Sequence, residues 1–236
     1  TGTTTIDISD GTTINYAVGK GGGAGIGGGS YSDSTADDAK GAVTVTISNG
    51  TIKNAKSEYS SAGGGAGIGG GNGGSATVTI SGDSTSINAV GHSGGAGIGG
   101  GGNGGSATVT ISGGTVNAST DANEGGAGIG SGKESTGATN IEITEDALVY
   151  AHGSGGAAIG SGESSTGETT ITIYDTDKAN EKGVKKAFAY GGAGIGSGRY
   201  AKGKTHITID KAFVSTLETS DAYTNTSGAG IGTGYA

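Results

Sequence analysis

A chain of 236 residues with 57 Gly and only two Phe has too little bulk for an ordinary core, so its order has to come from repetition. The net charge of −8 disfavours nucleic acid and anionic membrane surfaces, which demand clustered Lys and Arg, and no apolar run is long enough to cross a bilayer. The lack of Cys removes disulfides and Cys-based metal sites, and the lack of Pro, with no Gly-x-y period, removes collagen.

Three elements recur in a fixed order. The chain opens on an alternating stretch, TIDI ending at Ile8, followed by TIN from Thr13 and GGGAGIG ending at Gly27. Next come VTVTI ending at Ile47, TIKNA from Thr51 and GGGAGIG ending at Gly69. The third and fourth rounds are TVTI ending at Ile80, SINA from Ser86 and GGAGIG ending at Gly99, then TVTI ending at Ile111, TVNA from Thr115 and GGAGIG ending at Gly130. The fifth has IEI ending at Ile143, LVYA from Leu148 and GGAAIG ending at Gly160. The last two have TITI ending at Ile173, AFAY from Ala187 and GGAGIG ending at Gly196, then HITI ending at Ile209, FVST from Phe213 and SGAGIG ending at Gly232.

Strict alternation of β-branched with polar residues marks a half-buried strand, with pairs such as Val78 and Ile80 or Val109 and Ile111 turned inward. In LVYA either Leu148 or Val149 could take the inward place. The Ile of each Gly-rich element falls at 26, 68, 98, 129, 159, 195 and 231, giving steps of 42, 30, 31, 30, 36 and 36 residues. Three short strands per period, with no helical pattern and variable polar loops, predict an all-β fold: a single-stranded right-handed parallel β-helix, a three-sided solenoid of about seven coils. The right hand follows from the strong bias of parallel crossovers and from the absence of a strict hexapeptide repeat. The expectation is a single β-helix domain over 1–236, cut from a larger protein because the chain starts and stops within a repeat. In the GGAGIG elements the Ala and Ile are expected to point inward and glycines such as Gly25 and Gly27 outward. Those glycines then either turn tight corners, letting another backbone approach closely or a loop lie flat on the prism, or leave a smooth strip on which a flat polymer could lie.

The outward places of the alternating strand form a column of Thr-x-Thr pairs: Thr44 and Thr46, Thr77 and Thr79, Thr108 and Thr110. Such pairs on a flat stacked face resemble ice-binding solenoids, which order water with them. Asp7, Asn140, Glu142 and His206 interrupt the column, and Thr also suits the wet side of any strand. Loops supply aromatic residues, of which Tyr31 and Tyr200 are the candidate stacking platforms for sugar rings. Polysaccharide lyases and glycoside hydrolases also use right-handed β-helices, but a glycosidase needs two carboxylates facing each other across a bond. Asp175 with Asp177 lacks a facing acid, and the cluster Asp33, Asp37 and Asp38 lies several coils from Arg199, so no catalytic residue is assigned. His92, His152 and His206 keep no fixed offset to a Ser or carboxylate. No cofactor is expected beyond calcium as a structural ion, an option the oxygen-rich loops leave open, although no EF-hand spacing occurs and GGAGIGGGS has Gly where the Asp of GGxGxDxUx belongs.

The strings GGAGIGSG and TVTISGGTVNA, repeated over nearly the whole chain, resemble the Gly-rich β-helix repeat modules of secreted and cell-wall surface proteins of Gram-positive bacteria, among them carbohydrate-binding, adhesin-like members. That resemblance implies a non-catalytic extracellular surface module, secreted or cell-wall attached, acting as a stalk or adhesin. Its partners would be a glycan or a host or cell-surface protein, with no nucleic acid and no membrane insertion. Open strand edges at the two ends predict end-to-end self-association.

Overall fold

The computed structural model describes residues 3–30, 41–58, 63–121, 125–176, 182–216 and 228–235. Every strand pair in it is parallel, and the three recurring elements build three sheets. Sheet 1 stacks the alternating strands, among them Val43–Ser48, Ala76–Ser81, Ala107–Ile111, Thr139–Thr144 and Thr169–Tyr174. Sheet 2 stacks the second element, including Thr51–Ser57, Ser86–Gly91, Thr115–Thr120, Leu148–Ser154 and Gly183–Tyr190. Sheet 3 is built from two-residue strands at the GGAGIG sites, from Ile26–Gly27 to Ile231–Gly232. One strand from each sheet makes one turn of a β-helical solenoid.

Among the described residues sheets 1 and 3 contain seven strands each, but the outermost strand at either end has a neighbour on one side only. Five turns are therefore enclosed between neighbours, rather than about seven. The difference is visible in the side chains. Ile47, Ile80, Ile111, Ile143 and Ile173 stack in one column and are all 0% exposed, whereas Ile209 at the same place in the last turn is 38% exposed. Ile68, Ile98, Ile129, Ile159 and Ile195 form a second dry column, ending at Ile231, which is 49% exposed. Burying one such side chain stabilises by about 1.5–3 kcal/mol, and each turn supplies that burial only to its neighbours. The inward residue of LVYA is Val149, which pairs with Val116 and is fully buried.

The GGAGIG glycines do not form an outward strip. Gly25, Gly27 and their equivalents press backbone against backbone. A Cβ on Gly97 would stand 2.6 Å from both the Gly128 carbonyl of the next turn and the Ser119 amide of sheet 2. A Cβ on Gly99, whose φ is +131°, would stand 2.0 Å from the Gly130 carbonyl. The two-residue strands of sheet 3 are thus wedged against sheet 2 and against one another, with no room for a side chain. The Ser of GIGSG ties each turn to the next, since Ser131 Oγ accepts from the Gly162 amide at 3.0 Å and Ser161 Oγ from the Gly198 amide at 3.1 Å.

Candidate functional site

On the outer face of sheet 1 the register places Thr44, Thr77 and Thr108 in one column and Thr46, Thr79 and Thr110 in the next, all exposed or half-buried. The following turn breaks both columns with Asn140 and Glu142, and Thr170 and Thr172 resume them. Glu142 is held: the Tyr174 hydroxyl donates to its Oε1 at 2.5 Å, which, with the carboxylate's charge, raises the Tyr174 pKa above its usual value. The six Thr therefore form an ordered patch of limited length beside a hydrogen-bonded Tyr and Glu.

Of the two candidate aromatic platforms, Tyr31 lies outside the described residues. Tyr200 is 47% exposed at the last turn, edge-on to Tyr235 at 5.9 Å between centroids, with the Arg199 guanidinium 5.4 Å from its ring. Arg199 itself pairs with the largely buried Glu163 at 2.8 Å. Tyr200 is thus open on one side and packed on the other. Asp175 lies 3.9 Å from Lys211, while Asp177, Asp33, Asp37 and Asp38 lie outside the described residues. His92 faces Asp121 at 3.2 Å and His206 lies 3.5 Å from Thr208. Among the described residues no group of three His, Asp or Glu could hold a metal ion.

Sheet 2 carries an arrangement that sequence reasoning did not reach. Its outward columns turn aromatic toward the later coils. Asn88, Asn117, Tyr150 and Lys186 align in one column, and Val90, Ser119, His152 and Phe188 in the adjacent one, with Tyr190 opposite Ser154. The His152 and Phe188 rings stack at 5.0 Å with an interplanar angle of 15°, and Tyr190 stands edge-on to both, at 5.3 and 4.7 Å. The Lys186 ammonium lies 5.9 Å from the Phe188 centroid. These groups line an open cleft of about 480 Å³, within the range of small-ligand sites.

A bulge shapes this cleft. Between Val149 and Tyr150 the register with the neighbouring strand shifts, so that Lys186 rather than Lys185 lies opposite Tyr150. Bulges re-aim side chains in this way and are over-represented beside binding sites. Such irregularities occur only in sheet 2 among the described strands; sheets 1 and 3 run in unbroken register. His152 hydrogen-bonds the Thr120 backbone, and its Nε2 makes no hydrogen bond among the described residues. Burial, with the nearby Lys186 charge as a second cause, holds the His152 pKa below its usual value, so the ring is neutral at pH 7.

The 36-residue step from Ile159 to Ile195 was a usable signal for this cluster. Applied to Tyr150, His152 and Ser154, it lands on Lys186, Phe188 and Tyr190.

A family model described as Beta helix repeat matches residues 45–72 and 109–133. No curated protein and no solved structure matches the chain. Each matched span runs from a sheet 1 strand through sheets 2 and 3 to just past the Gly-rich element. The likeness therefore covers two separate single turns of a β-helix, and its content is the repeat itself.

Proposed function

We propose that this chain is a non-catalytic surface module, a stiff stalk or adhesin-like element that contacts glycans through the aromatic cleft of sheet 2. The observation that carries the reading is the cluster of Tyr150, His152, Phe188 and Tyr190, ringed by Asn117, Ser119 and Lys186. Flat rings offer stacking surface to the apolar face of a pyranose, and the amide, hydroxyl and ammonium groups can satisfy its hydroxyls. The Gly-rich surface modules of Gram-positive bacteria that the sequence resembles supply the setting: right-handed coiling, an extracellular, secreted or cell-wall attached location, and a glycan or cell-surface protein as partner. End-to-end association belongs to the same reading, because the outermost strands have no partner on one side among the described residues.

A glycan array probed with the wild-type chain and with Tyr150→Ala and Phe188→Ala tests it. Binding lost in both variants, with an unchanged circular dichroism spectrum, is the expected result. Unaltered binding would move the site elsewhere, and release of reducing or unsaturated sugar ends by the wild-type chain would contradict the non-catalytic reading.

Ice binding through sheet 1 is a second reading, supported by the register that aligns Thr44, Thr77 and Thr108 beside Thr46, Thr79 and Thr110. Thermal hysteresis that disappears in Thr79→Tyr would support it; a wild-type chain without hysteresis would remove it.

A further inference from the structure

We infer that the sheet 2 cleft selects acidic sugars, binding a uronic acid residue with its ring against the aromatic cluster and its carboxylate on Lys186. This inference rests on the glycan reading of the same cleft. The chain carries a net charge of −8, yet among the described residues no carboxylate lines this cleft: its polar side chains are Asn117, Ser119, Tyr150, His152, Lys186 and Tyr190. Lys186 makes no ion pair among the described residues, and the bulge that skips Lys185 brings it opposite Tyr150.

An unpaired cation beside a wall of rings is partly stripped of water, so a ligand anion placed there interacts more strongly than on an open surface. The geometry fits a sugar better than a peptide. His152 and Phe188 stack face to face, 5.0 Å apart and 15° from parallel, and Phe188 is only 9% exposed, so Phe188 backs the His152 ring, the half-buried Tyr150 and His152 are the rings left to a sugar, and Tyr190 stands edge-on at one end. An acidic peptide would use neither these rings nor the polar rim as fully. With His152 neutral, Lys186 is the one cation among the described residues lining the cleft, which matches one carboxylate per bound sugar residue. Lys acts as a point charge and does not impose the planar fork of Arg, so a carboxylate set at any angle on a pyranose can reach it.

The test uses matched pairs of oligosaccharides, galacturonate and glucuronate oligomers against their methyl esters, titrated calorimetrically into the wild-type chain, Lys186→Gln, Lys186→Arg and Phe188→Ala. The acid forms are expected to bind about tenfold or more tightly than the esters, as a charge-assisted contact implies. The preference should vanish in Lys186→Gln, survive in Lys186→Arg and weaken with added salt, while Phe188→Ala loses acid and ester alike. Equal binding of acid and ester by the wild-type chain, still lost in Phe188→Ala, would overturn the acid selection and leave the glycan reading standing. A preference for sulfated over carboxylated sugars would also overturn the carboxylate assignment. Binding of no oligosaccharide by the folded wild-type chain would remove both.

Discussion

Gly99 shows how little freedom a single position has in this solenoid. Its φ of +131° is one that side-chain-bearing residues rarely adopt, and the carbonyl of Gly130 occupies the place a methyl group would need. Gly99→Ala is expected to cost on the order of 3 kcal/mol or more, from backbone strain and clash together, measurable by urea denaturation. Gly29→Ala serves as the control, since a Cβ there meets nothing within 4 Å among the described residues; its midpoint should barely move. His152 makes a different prediction. Burial first, and Lys186 second, depress its folded pKa below the usual 6.5. The unfolded chain therefore takes up the proton more readily, so stability is full above about pH 6.5 and falls as the pH drops through the window down to the folded pKa. Denaturation series between about pH 7.5 and pH 5 should show a steeper loss for the wild-type chain than for His152→Gln, and equal slopes would refute the buried-imidazole account.

At the scale of the strand, the dry columns are the source of stability and are strongest where both neighbours exist. Ile129→Ala, in the middle of the sheet 3 column, is expected to cost about 2–5 kcal/mol, whereas Ile209→Ala in the last turn should cost far less, because that side chain is already 38% exposed. Similar losses at the two positions would mean that the last turn is covered in solution. The alternating strands of sheet 1 were legible in the sequence because period-2 alternation states directly which side chains turn inward, and Val78, Ile80, Val109 and Ile111 do. The Ile of each GGAGIG was legible for the same reason. The glycines were legible only as a choice between close backbone approach and an open strip: alternation cannot tell an open face from one pressed onto another backbone, and only the packing of sheet 3 on sheet 2 decides it. The cleft was harder still. Tyr150, His152, Lys186, Phe188 and Tyr190 meet only through the pairing of two strands a full period apart, shifted by a bulge that no local pattern announces. Tyr200, chosen as a lone loop residue, emerged partly packed against Tyr235 and Arg199.

For the whole molecule, the unbroken register of Ile68, Ile98, Ile129 and Ile159 makes the length of the prism a quantised property. Excising residues 99–129 would join Ile98 to Gly130, the same Ile-Gly junction that every turn already contains. The shortened chain should fold, lose about 4.8 Å of axial length, and unfold with a smaller dependence on urea in proportion to the surface no longer exposed. Collapse of the shortened chain would mean that neighbouring turns are not interchangeable. The excision would also slide Asn88 and Val90 beneath Tyr150 and His152 in place of Asn117 and Ser119, preserving the amide while deleting the hydroxyl. Such a molecule acts as a ruler whose graduations can be added or removed one at a time, so that reach and recognition can be adjusted separately within the same chain.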